Sequence, residues 1–168
     1  MPLLMACILL FAACGAHRPV KNPFKGKSGN YITGATIRYQ GLTALATVSQ
    51  AEPSSCSFVL ESPKHLAGMG YVFRQDDVDV NYKGMSFTFV RDFMPYSAVA
   101  NITVQALSRV INDDELTVTA ENDEHKIRGT VETGEFILTI DRDTGEIRKL
   151  LVPAQEIEIE FHNFRFLD

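Results

Sequence analysis

The sequence predicts a mainly β domain of the α+β class. Its centre is a strongly curved antiparallel sheet of about ten strands, an incomplete β-barrel, with one central helix packed on the concave face. Three observations predict it. Between Tyr31 and Phe166 apolar residues recur mostly at every second position, the period of strands with one buried face. Gly-, Asn- and Asp-bearing turn dipeptides punctuate that stretch at short intervals. A single segment, between Pro95 and Asn112, carries the helical period instead.

The N-terminal apolar stretch, Leu3 to Ala13, is shorter than the about 20 residues that cross a bilayer, but it suits the apolar region of a secretory signal. It closes in Leu9-Leu10-Phe11-Ala12-Ala13-Cys14-Gly15, which resembles the lipobox of bacterial lipoproteins, with Phe11 where Leu is usual. The resemblance implies a signal peptide over 1–13 and acyl chains such as palmitate on Cys14. It would place the mature chain on the extracytoplasmic face of a bacterial membrane as a lipid-anchored protein. Two acyl chains make a stable anchor where one binds only reversibly. Cys7 has almost no apolar run before it. Residues 14–30 carry His17, Arg18, Lys21, Lys25 and Lys27 among Pro and Gly without an apolar period, and read as a flexible tether. Residues 31–168 then form one domain, long enough for a single sizeable core.

Tyr31, Thr33, Ala35, Ile37 and Tyr39 mark the first strand, and a Gln40-Gly41 turn leads into Leu42, Ala44, Ala46 and Val48. Phe58 and Leu60 mark a third, ended by Ser62-Pro63, and Met69, Tyr71 and Phe73 a fourth. After Asp76-Asp77 a fifth runs through Val78, Val80 and Tyr82; the Lys83-Gly84 turn opens a sixth with Met85, Phe87 and Phe89 on one face. Val99, Ile102, Ala106 and Val110 then recur at helical spacing, widened by Leu107 and Ile111, with Pro95 at the start and Asn112-Asp113-Asp114 as the stop. Such a stripe must be buried against a sheet face.

Strands resume at Leu116–Ala120, Ile127–Val131 and Phe136–Ile140, separated by Asn122-Asp123 and Thr133-Gly134 and closed by Asp143-Thr144-Gly145. Two more follow, around 147–152 and 157–166. In the last, Ile157, Ile159 and Phe161 are odd-numbered and Phe164 and Phe166 even, which predicts a β-bulge at His162-Asn163. Edge strands are expected near Tyr31 or Phe166, where a partner chain could add a strand.

Ser62-Pro63-Lys64-His65-Leu66-Ala67-Gly68, Tyr82-Lys83-Gly84-Met85 and Phe136 through Ile147, with its Asp-x-x-Thr-Gly turn, resemble the LolA/LolB-like lipoprotein and lipoprotein-carrier superfamily over roughly 31–168. That family's fold is a half β-barrel plugged by helices, and its members hold acyl chains in the concavity. This chain departs from it in lacking the initial helix with which the carriers begin. The resemblance implies binding of an apolar ligand, a lipid or acyl chain, in a groove between sheet and helix. Met69, Tyr71, Phe73, Met85, Phe87 and Phe89 would line one wall, with Val99, Ile102 and Ala106 on the helix. The alternative is a structural or interaction lipoprotein of the cell envelope with a filled core, docking an envelope protein. A monomer is expected.

A net charge of −5 and a pI of about 5.4, with no basic stripe, argue against nucleic acid. His17, His65, His125 and His162 stand at no metal-ligand spacing. Asp141-x-Asp143-x-Gly145 lacks the distal glutamate of a calcium loop and reads as a hairpin turn. No activated-nucleophile or phosphate-loop motif occurs, so neither enzymatic activity nor a cofactor is expected. Of the three cysteines, Cys56 remains without a partner once Cys7 and Cys14 are assigned, and reads as a buried small hydrophobe. Glu156, Glu158 and Glu160 read as the solvated face of a strand.

Overall fold

The structure, a computed structural model, describes residue 24 and residues 27–52, 55–91, 97–113, 116–121 and 123–167. The signal segment 1–13, Cys14, most of the tether and Pro95 lie outside the described residues.

The period-two segments form eleven strands in one antiparallel sheet. They are β1 (Tyr31–Tyr39), β2 (Leu42–Glu52), β3 (Ser55–Ser62), β4 (Gly70–Phe73), β5 (Asp77–Tyr82), β6 (Met85–Val90), β7 (Thr117–Glu121), β8 (Glu124–Val131), β9 (Gly134–Asp141), β10 (Ile147–Val152) and β11 (Ile157–Phe166). The helical stripe forms α1 (Ser97–Asn112), between β6 and β7. The order across the sheet is β6-β5-β4-β3-β2-β1-β11-β10-β9-β8-β7. The sheet is open and mainly β with one helix, with eleven strands where about ten were expected.

Short turns set the registers. Gln40-Gly41 (φ 48° and 78°) and Lys83-Gly84 (φ 49° and 81°) have both central residues at positive φ, which matches the right-handed twist of the strands they join. Asp141 Oδ1 closes the β9–β10 turn by accepting hydrogen bonds from the backbone N–H of Thr144 (2.7 Å) and Asp143 (3.0 Å) and from the Thr144 hydroxyl (2.9 Å). Those donors, Thr144 foremost, hold its carboxyl below the ordinary aspartate value. The expected hairpin turn forms. The bulge also falls where the parity change places it. Ile32 pairs with Arg165 and Gly34 with His162, so Asn163 and Phe164 together oppose Thr33, and Asn163 takes φ 55°. The bulge returns Phe164, 7% exposed, to the core face.

One expectation is overturned. Tyr31 and Phe166 pair with each other at the middle of the sheet, and the edges are β6 and β7. The first and last strands zip together, and the sheet grows outward from that seam in both directions.

α1 buries Val99, Ile102, Ala106, Leu107, Val110 and Ile111, the residues of the predicted stripe. Its first turn brings Val99 against Ile37, Phe58 and Phe73 of β1, β3 and β4, and the helix packs on β8. Thr103 is tolerated in the stripe because its hydroxyl donates to the Val99 carbonyl at 2.7 Å. Beneath the helix, the Phe136 ring lies over Gly129, its cross-strand partner.

Cys56 is buried on the concave face beside Phe73, with its sulfur 3.9 Å from the Tyr31 hydroxyl. Burial pushes its thiol from 9.0 up to about 12. A raised pKa means that the fold favours the neutral thiol. Its contribution to stability is complete below about pH 9 and is lost as the pH rises toward 12. Cys56 is expected to resist iodoacetamide at about pH 8 in the folded chain and to react fully in guanidinium, as peptide mass mapping would read. Rapid labelling of the folded protein would contradict this.

Candidate functional site: an apolar wall at the β6 edge

Cross-strand pairing carries the concave face outward in continuous rows. Val48, Phe58, Tyr71, Val80 and Phe87 face one another in sequence from β2 to β6, and Cys56, Phe73, Val78 and Phe89 do the same from β3 to β6. The rows begin in the core and end in the open: Val48 is fully buried, Val80 is 9% exposed and Phe87 is 54% exposed. The aromatic rings pack on one another along the way. Tyr71 and Phe73 stack at 6.0 Å between centroids, and Phe87 and Phe89 lie 6.4 Å apart.

The structure divides the predicted site residues into two groups. Phe73, Val99, Ile102 and Ala106 are buried side chains of the core, with Tyr71 and Met69 half-buried at its margin. Met85, Phe87 and Phe89 stand exposed on β6, beyond the helix. Between Val99 and the sheet there remains a crevice of about 20 Å³, lined by Ile37, Ala44, Phe58, Leu60, Tyr71 and Phe73. That is room for about one water, against the roughly 300–1,000 Å³ of a small-molecule pocket. Along this stretch, among the described residues, the side chains expected to line a groove pack closely on one another, and the predicted residues that stay exposed are those of the open wall at β6. The physical reason is width: a single helix covers only the strands beneath its stripe, and α1 runs from β1, β3 and β4 toward β8.

Three larger depressions among the described residues hold none of the predicted residues; the smallest, about 220 Å³, lies between Leu107 and Ile111 of α1, Gln50 of β2 and residues 27–29, and the other two are lined mostly by polar side chains. One, about 760 Å³, lies between Gln105, Arg109 and Asn112 of α1 and Thr130 and Glu132 at the end of β8. The other, about 450 Å³, lies on the convex face among Lys126, Arg128, Thr139, Lys149 and Glu160. There Arg38 pairs with Glu158 (2.5 Å) and Glu160 (3.0 Å), and Lys149 with Glu158 (3.0 Å). Glu158 and Glu160 are the solvated strand face expected of them. Hydrogen bonds from Lys149 to the first and from Arg38 to the second hold both carboxyls below the ordinary glutamate value.

The sequence reading leaves Val78, Val80 and Tyr82 out of the wall. The Lys83-Gly84 turn was the available signal. A two-residue turn forces Tyr82 opposite Met85, Val80 opposite Phe87 and Val78 opposite Phe89. The acidic residues of β5 point the other way: Asp79, on the opposite face, accepts from the Thr88 hydroxyl at 2.7 Å and pairs with Arg74. Those two donors, Thr88 first, lower its pKa. Among the described residues no group of three His, Cys, Asp or Glu side chains is placed to hold a metal ion.

No family model matches the chain, and no curated protein matches it. Solved structures do resemble it. One is a chain in the structure of the CwlD amidase from Clostridioides difficile in complex with the GerS lipoprotein, 14% identical, covering 82% of this chain and 87% of that one, with a TM-score of 0.50. A LolA superfamily protein from Nitrosomonas europaea is 9% identical over 89% of each chain, with a TM-score of 0.41. A DUF1329 family protein from Desulfovibrio piger is 14% identical, covering 82% of this chain and 85% of that one, also with a TM-score of 0.41. At these identities the likeness is one of fold.

Proposed function

We propose that this chain is a lipid-anchored, extracytoplasmic binding module that holds a lipid or acyl chain against the open wall of β4 to β6. The observation that carries the reading is the pair of apolar rows that leave the core and end in solvent at Phe87 and Phe89. Exposed aromatic surface continuous with a core is costly in water and marks a surface that is covered in use. The mechanism is burial of apolar area, worth roughly 25 cal/mol per Å² less the cost of ordering the chain, with no covalent step. The Leu9–Gly15 run supports the anchor: acylation of Cys14 would keep the wall close to a source of acyl chains.

Delipidated protein is expected to bind a spin-labelled fatty acid saturably, one per chain, and protein purified from cells is expected to yield lipid on solvent extraction. Absence of both would overturn the reading. For the anchor, a Cys14→Ser protein is expected in the soluble fraction. Its retention in the membrane would count against lipidation.

A second reading is favoured by a separate observation. β6 is an edge strand, and its residues, Met85 to Val90, include no charge and no proline, the usual guards of a free edge. A partner strand from an envelope protein could pair there, which would make the chain an interaction lipoprotein. Loss of a protein partner on substituting Ser86 by proline, with fatty-acid binding retained, would select this reading.

A further inference from the structure

The charge pattern around the wall is one-sided. The chain as a whole carries −5, yet residues 63–73 and 80–91 contain no Asp or Glu while carrying Lys64, His65, Lys83 and Arg91. These are the segments that build the wall and its two ends. Of the three acidic residues in between, Asp77 and Asp79 alternate with Val78 and Val80 and so lie on the opposite sheet face, while Asp76 sits in the β4–β5 turn at the Arg91 end.

The two ends differ. At one end Arg91 is consumed by structure, donating to the carbonyls of Arg74 (2.8 Å) and Gln75 (3.4 Å) and to Asn101 Oδ1 (3.2 Å) on α1. At the other end the exposed Lys83 sits in the turn with Nζ 4.9 Å from the centroid of the ring of Tyr82, a residue of the wall face. Tyr82 stands opposite Met85, and its hydroxyl donates to the His65 carbonyl at 2.8 Å, which ties the corner carrying Lys64 and His65 to the same rim. An apolar track thus has an ammonium group beside one end, at the ring of Tyr82. From Met85 to Phe89 that track spans four residue steps, or about 14 Å.

On the reading that this wall is the ligand surface, we infer that it selects single-chain amphiphiles with an anionic head, a carboxylate or phosphate, held at Lys83 with the tail running along Phe87 and Phe89. A neutral or cationic head would gain the same apolar burial without the ion pair.

The test uses dodecyl phosphate, laurate and dodecyltrimethylammonium, each below its micelle-forming concentration, against the wild-type protein and K83Q. Glutamine suits the position, because Gln40 occupies the equivalent place in the β1–β2 turn at nearly the same φ (48° against 49°). The anionic probes are expected to bind the wild type about fivefold tighter than the cationic one, with the margin narrowing as salt is added. K83Q is expected to abolish the margin while its thermal midpoint stays at the wild-type value. Comparing dodecyl phosphate with laurate tells a phosphate-bearing lipid from a fatty acid. Equal affinity for the three probes in the wild type, or a preference that survives K83Q, overturns the inference and leaves the apolar wall standing. Binding of none of them overturns the wall itself. Binding confined to anionic vesicles overturns the inference in favour of docking on a membrane surface.

Discussion

Replacing Phe87 by aspartate is expected to lower affinity for dodecyl phosphate at least about tenfold. The side chain is 54% exposed, so ligand contact would bury the half that remains in water, worth about 0.8–1.5 kcal/mol on the usual scale for a phenyl side chain. That alone is about fourfold to twelvefold, and a carboxylate in the middle of the track adds repulsion toward an anionic head. Stability is expected to change by only about 0.5 kcal/mol, since Phe87 lies on an edge strand and its removal leaves no cavity. Calorimetric titration together with a thermal melt separates the two effects. Unchanged affinity in a folded Phe87→Asp protein would show that the exposed rows are not the ligand surface.

The largest stability effect is expected at Phe136. Its ring is fully buried and fills the space over Gly129, the position on β8 that lacks a Cβ. Phe136→Ala removes the ring and leaves a void that Gly129 cannot fill, so a loss of about 3–5 kcal/mol is expected in urea unfolding. The converse change fails for the opposite reason. A Cβ added at Gly129 would overlap the Phe136 ring, and Gly129→Ala is expected to cost about 1–3 kcal/mol through overpacking. If Gly129→Ala proved neutral, the ring would have another place to go. The double variant Gly129→Ala with Phe136→Leu is expected to recover part of the loss, because the smaller side chain yields to the new methyl group.

Much of the architecture is local in origin, which is why it could be read along the chain. Gln40-Gly41 and Lys83-Gly84 adopt the positive φ pair that such dipeptides favour, and each fixes the register of a hairpin with no distant contact. The switch from odd to even apolar positions after Phe161 requires an extra residue, and Asn163 supplies it. The stripe from Val99 to Ile111 demands a helix buried on one face, and every residue of it is buried. Cys56 is likewise enclosed on the face that its parity assigns.

The candidate site was legible by composition and only partly by place. Met85, Phe87 and Phe89 could be assigned to a common face, but alternation does not say whether that face is covered. Phe73 and Phe89 share one cross-strand row and one chemistry, yet the first is 2% exposed and the second 43%. The difference is made by α1, whose first turn reaches Phe73 and leaves β6 uncovered.

By itself the sequence determined the period-two strands, their turns, the bulge and the single amphipathic helix, because each depends on residues within a few positions of one another. The tertiary structure alone decided that β1 and β11 meet at the centre, that β6 and β7 are the edges, and that Phe73 is covered while the wall beside it is open. Those outcomes turn on contacts between segments more than a hundred residues apart and on how far one helix can reach. The pattern along a strand carries neither.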